Sequence, residues 1–157
     1  MLSVLVVMVG CNPYAYVNVP PQVGDVATHD PNQKMVREVD VESIRSILAD
    51  RPLPSPVAIT LPKGTSELMH ADVARRVSDD VVSALEMPDA HSQIRMTQVR
   101  IRGLRAQVDM LYPTVAGTHQ LLTVYLSYTP MNNWRADRIA DWPGAAHSVD
   151  HGGVLQP

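Results

Sequence analysis

From Gln93 to Trp142, apolar residues recur mostly at every second position. That period puts alternate side chains on opposite faces of an extended chain, which suits a sheet with one buried face. The stretch QIRMTQVRIRGLRAQVDMLYPT keeps the period, but its phase slips. Val99 and Ile101 are odd-numbered, whereas Leu104, Ala106, Val108 and Met110 are even, with Gly103 at the change. One extra residue beside a glycine predicts a bulge or sharp bend in a single long strand. The following QLLTVYLSYTP is apolar on both faces, as expected of a central strand. Met131-Asn132-Asn133 reads as a turn, and WRADRIADW as a third strand with Trp134, Ala136, Ala140 and Trp142 on one face. The expectation is a three-stranded antiparallel meander.

Upstream, the period lengthens. DVESIRSILAD (40–50) predicts a short helix, with Asp40 capping its first turn and Val41, Ile44, Ile47 and Leu48 on one side. Pro52, Pro54 and Pro56 end it, because a residue before proline avoids the helical region. Val57–Leu61 is a compact strand candidate between prolines. SELMHADVARRVSDDVVSALEM predicts a long helix capped by Ser66, with Met69, Val73, Val77, Val81 and Leu85 at four-residue intervals and Pro88 closing it. The expected fold class is α+β: one long helix packed on a mainly antiparallel sheet, in the order strand, helix, three-stranded meander. A short helix and an irregular N-terminal arm precede it. This domain spans 40–142, and 143–157 reads as a flexible tail.

Bulk composition narrows function mainly by exclusion. A chain of 157 residues is one domain's worth. Its formal net charge of −3 does not point to a nucleic-acid partner. A single cysteine excludes an intrachain disulfide, CxxC redox chemistry and cysteine-rich zinc sites. Seven of the 13 prolines fall between Pro13 and Pro56, which suggests an extended N-terminal third.

The lone cysteine follows an apolar run, Leu2–Val9, that is too short to span a bilayer, where roughly 20 residues are needed. Its length fits the apolar core of a secretory signal. The residues Met8-Val9-Gly10-Cys11 resemble the lipobox of bacterial lipoproteins. The resemblance implies signal cleavage between Gly10 and Cys11, a diacylglycerol on the Cys11 sulfur and usually a further acyl chain on the new amino group. It also implies that 1–10 is a signal peptide. Residues 11–39 are then a Pro-rich tether, and the protein is a lipid-anchored component of the bacterial envelope facing the periplasm or cell exterior. More than one acyl chain gives stable anchoring, where one binds only marginally. Read from its residues alone, the same stretch also suits a buried N-terminal strand with a free cysteine.

Catalytic motifs are missing from the sequence: there is no GxSxG, SxxK, HExxH or Gly-rich phosphate loop. His147 and His151, in HSVDH, have a spacing that on a helix would suit a metal, but glycines surround them and a polar tail is the plainer reading. No catalytic residue, metal site or cofactor is expected. The densest charge pattern is Arg95, Arg100, Arg102 and Arg105, of which Arg100, Arg102 and Arg105 are candidates for contact with an anion or a partner. The sequence therefore suggests a non-catalytic binding module held to a membrane by its anchor, with an envelope protein as a possible partner. The element order also resembles, in outline, the cystatin-like and NTF2-like folds. That resemblance implies an alternative, a small-ligand-binding domain with a pocket between helix and sheet.

Overall fold

The computed structural model describes residues 14–19, 28–115, 117–131 and 133–142. The described chain runs β1 (Tyr14–Val17), α1 (Lys34–Asp50), β2 (Val57–Thr60), α2 (Glu67–Val77), β3 (Val81–Ser83), β4 (Gln93–Arg102), β5 (Arg105–Pro113), β6 (His119–Thr129) and β7 (Asn133–Asp141). It is an α+β fold. The seven strands form one mixed sheet in the order β3-β2-β4-β5-β6-β7, with β1 also paired to β4. Strands β4 to β7 make an antiparallel meander, whereas β2 runs parallel to both β3 and β4.

Strand β4 is the junction. One of its edges pairs along its length with β5. The other takes β2 against Gln93–Arg95 and β1 against Val99–Arg102. Both helices lie on one side of the sheet. Helix α1 crosses β5, β6 and β7, α2 sits by β2 and β3, and the helices touch each other. The core fills the space between the layers: Ile44 and Ile47 from α1, Val73 from α2, and Ile59, Ile94, Val108, Leu122 and Val124 from the sheet are fully buried. Burying one such side chain contributes about 1.5–3 kcal/mol.

Several sequence-based expectations are corrected here. The long bent strand is two strands, so the meander has four members. Gly103 and Leu104 form a two-residue hairpin turn, with Arg102 and Arg105 as partners and Gly103 at φ +60°. Glycine at the first central position suits such a turn. A two-residue turn pairs odd-numbered with even-numbered residues, here Ile101 with Ala106, and so produces the phase slip without an added residue. A bulge does exist, but at Thr97, between the partnered Met96 and Gln98. It moves the buried row from Ile94 and Met96 to Val99 and Ile101. A second bulge, at Asp137, has the same effect in β7. It separates the two tryptophans expected on one face: Trp134 is in the core, while the Trp142 indole N–H donates to Thr123 Oγ1 on the other side of the sheet at 2.9 Å.

The helix expected to be long is the shorter one. Helix α2 stops at Val77, after which Ser78 is extended and Asp79-Asp80 turn the chain into β3. Ser78 Oγ accepts from Asp80 N at 3.0 Å, and Val57 N donates to Asp80 O at 3.0 Å. The four-residue spacing of Val77, Val81 and Leu85 therefore does not mark a continuous helix face; Leu85 is exposed. Conversely, α1 begins at Lys34, not at Asp40, and Asp40 is a buried mid-helix residue rather than a cap. Arg51 closes the far end of α1 onto the sheet. Its guanidinium donates to both Asp141 carboxylate oxygens at 2.7 and 2.8 Å, and its carbonyl accepts from Tyr112 Oη at 2.6 Å. Arg51 holds the Asp141 carboxyl below the usual carboxylate range.

Packed structure reaches back into the stretch 11–39, expected as a tether. Tyr14–Val17 alternates between half-buried and buried, and Ala15 and Val17 join the core. The outer edge of β1 is met by Thr28, which accepts from Tyr16 N at 2.9 Å and donates to Tyr14 O at 3.1 Å. Val17→Ala is expected to lower unfolding stability by about 2 kcal/mol through lost burial and an unfilled space. Urea denaturation of the two proteins measures this; an unchanged midpoint would mean that residues 14–17 are not part of the core.

Candidate functional site

The sheet side away from the helices carries the alternate residues of every strand, and no described helix covers it. Its side chains follow from register. One rung across the strands reads Tyr14, Arg102, Arg105, Ser127 and Arg135. The next reads Tyr16, Arg100, Gln107, Tyr125 and Arg138. These two rungs hold five arginines in a chain of net negative charge.

The inner part of this face is already satisfied. Arg100 forms an ion pair with Asp109 on the neighbouring strand. Thr123 Oγ1 donates to the other Asp109 oxygen at 2.6 Å, and Trp142 donates in turn to Thr123. The relay Trp142–Thr123–Asp109–Arg100 thus runs from the residue just after β7 across β6, β5 and β4. Arg138 stacks over the Tyr125 ring at 3.9 Å, a cation–π contact. Arg100 and Arg138 are therefore engaged.

The end rung is different. Arg102, Arg105 and Arg135 are exposed, and none makes an ion pair with a described residue. Arg102 and Arg105 stand directly opposite each other on adjacent strands, a like-charge arrangement that is mildly unfavourable without an anion between. Arginine's planar fork suits carboxylate and phosphate. Of the three arginines picked out by sequence, the structure assigns Arg100 to the Asp109 ion pair and leaves Arg102 and Arg105 in an unpaired set. Arg135 completes that set. It lies 30 residues from Arg105, and only the β5–β6–β7 register brings it into the rung.

Two further groups carry unusual electrostatics. Asp40 is fully buried, and neither carboxylate oxygen has a hydrogen-bond partner among the described residues. Burial pushes its carboxyl well above the usual carboxylate range. His70 on α2 is also buried, with Nδ1 unpartnered, and burial lowers its imidazole below the usual histidine value. Beside the helices lie a groove of about 250 Å³ with Leu48, Leu53, Val57, Val77 and Val81 as its apolar wall, and a polar one of about 350 Å³ where Glu38, Glu42, Arg45 and Arg76 surround Trp134. Neither is lined by Asp40 or His70. Among the described residues, no cluster of His, Cys, Asp or Glu is arranged to hold a metal ion. No helix among them is long and apolar enough to cross a membrane. Gly10, Cys11, His147 and His151 lie outside the described residues.

Comparison with protein-family models, curated proteins and solved structures found no match.

Asp40 generates a pH prediction. Well below its ordinary value of 3.8 the carboxyl is protonated in both folded and unfolded chains and has no effect on stability. Above that value the unfolded chain ionises first, so stability falls as pH rises and levels off only beyond the raised folded value. The lowered His70 works in the opposite sense, adding stability as pH rises through its folded and then its ordinary value of 6.5. Comparing wild type with Asp40→Asn cancels the His70 contribution. The variant is expected to gain on wild type by about 1.4 kcal/mol per pH unit across the Asp40 window. Urea midpoints from pH 3.5 to 8 test this, and a difference independent of pH would refute it.

Proposed function

We propose that the chain is a lipid-anchored protein of the bacterial envelope whose domain is a non-catalytic binding module. The anchoring half rests on Met8-Val9-Gly10-Cys11, a small residue ahead of the only cysteine at the end of a short apolar run. The binding half rests on the rung of three arginines that form no ion pair with a described residue, across a sheet face that no described helix covers. Asp109, two rungs further along the same face, has one oxygen bound to Thr123 and the other to Arg100. It is thereby engaged in holding strands together rather than poised as a general base. The space between helices and sheet is occupied by fully buried aliphatic side chains, which favours surface recognition over an enclosed ligand.

A second reading, a domain for a small apolar ligand, draws on the groove between the end of α1, the Pro52–Ser55 segment and Val77. Saturable binding of a fluorescent apolar probe, abolished by Leu53→Arg, would favour it.

For the leading proposal, intact mass after expression in a bacterium is expected to show loss of residues 1–10 and the added mass of acyl chains on Cys11. Cys11→Ser is expected to leave the signal uncleaved at that bond and to shift the protein out of the acylated, detergent-extracted pool. An unmodified, uncleaved wild-type chain would remove the anchoring reading.

A further inference from the structure

We infer that the hairpin end of the sheet is a membrane-docking surface, with Leu104 and Met131 entering the bilayer interface and Arg102, Arg105 and Arg135 holding anionic phospholipid headgroups. This inference rests on acylation of Cys11 and goes beyond it by orienting the domain.

Chain length supplies the first argument. Three residue steps separate Cys11 from Tyr14, so the anchor lies within about 11 Å of the start of β1. Tyr14 is the register partner of Arg102, the last residue of β4 before the hairpin turn. A domain tied so closely to acyl chains cannot stand away from the bilayer, and the end tied down is the one that carries Tyr14.

The same end gathers a second turn, the one between β6 and β7. Strands β4 and β6 both run toward it, and Tyr128 N donates to Leu104 O at 2.9 Å, joining the two turns. The tips present apolar side chains to solvent: Leu104 is 56% exposed and Met131 92%. Directly behind them stands the rung of Arg102, Arg105 and Arg135, none of them ion-paired with a described residue; Asp137, the carboxylate bonded to this rung, accepts from Ser127 Oγ at 2.8 Å. Apolar tips backed by arginines match the depth profile of a bilayer surface, where acyl chains give way to phosphate. Phosphates are also the anions that would relieve the facing Arg102–Arg105 pair. The opposite end has an exposed Val115 in the β5–β6 turn, but it lies about 30 Å away along β5, beyond reach of the anchor.

The test uses the acylated full chain in vesicles of phosphatidylcholine and phosphatidylglycerol. Because Cys11 is the only native cysteine and its sulfur is blocked by the diacylglycerol, Leu104→Cys, Met131→Cys and Val115→Cys can each be labelled singly with a fluorophore. Labels at 104 and 131 are expected to be quenched by lipid-borne quencher and shielded from aqueous iodide, with the reverse at 115. Combining Arg102→Gln, Arg105→Gln and Arg135→Gln is expected to reduce the shielding at 104 several-fold in vesicles containing phosphatidylglycerol. Iodide access at 104 and 131 equal to that at 115 overturns the docking surface. Equal shielding at 104 in pure phosphatidylcholine and with the arginines replaced overturns the headgroup role. Shielding found in whole envelopes but not in vesicles assigns this end to a protein partner and likewise overturns the proposal. The mass of the same preparation separates the two failures. If acyl chains are absent, the anchor reading falls and this one with it; if they are present and position 104 is open to iodide, only the orientation is wrong.

Discussion

Strand β4 holds the fold together because it must satisfy three partners with ten residues. One edge belongs wholly to β5. The other is divided between a parallel strand, β2, and an antiparallel one, β1. A strict two-residue alternation along β4 would place Ile94 and Ile101 on opposite faces. The extra residue at Thr97 resolves this, with its Oγ1 donating to Asp109 O at 3.0 Å and its carbonyl accepting from Asn18 at 3.1 Å. The bulge therefore lets both halves of β4 contribute to one core. Without it, either the β2 half or the β1 half would turn its aliphatic row to solvent.

Once that face is set, the other follows. Arg100, Asp109 and Thr123 fall on the open side, where each takes its partner from an adjacent strand. Their bonds tie three strands together on the side that no described helix covers. The chemistry left over collects at the hairpin end, where Arg102, Arg105 and Arg135 find no such partner among the described residues. The division between a satisfied middle and an unsatisfied end gives the surface a direction, and the position of Tyr14 puts the proposed anchor at the same end.

The helices show a comparable division. Asp72 on α2 draws in Arg37 from α1 at 3.2 Å and Arg76 from its own helix at 2.9 Å. Its carboxyl is held below the usual range; burial opposes this, and the Arg75 hydrogen bond with the Arg76 and Arg37 charges outweighs it. Asp40 on α1 has no such cation among the described residues and stays in the apolar layer, where only its neutral form is well accommodated. Charge at the rim of the helix pair thus strengthens the packing, whereas the same carboxyl in its interior weakens it as pH rises.

Local pattern alone determined much of this protein. Val57–Thr60 as a strand, the helical spacing of Val41, Ile44 and Ile47, the Ser66 cap, the alternating row of β5 and the two apolar faces of β6 as an inner strand depend on neighbours in sequence, and these were legible. Tertiary structure decided wherever one spacing served two conformations. Val77, Val81 and Leu85 suit a helix by period, yet β-branched Val81 and Val82 pair with β2 because that edge is open to them. A parity change can signal a bulge or a two-residue turn, and only pairing with Arg105 identifies Gly103 as a turn. The placement of Trp142 depends on one extra residue at Asp137, and the recruitment of Arg135 on register carried across two strands. The sequence by itself determined that a basic, alternating sheet would form. Which arginines were left unpaired, and at which end, was decided by register, because cross-strand neighbours are set by hydrogen bonding between segments far apart in the chain.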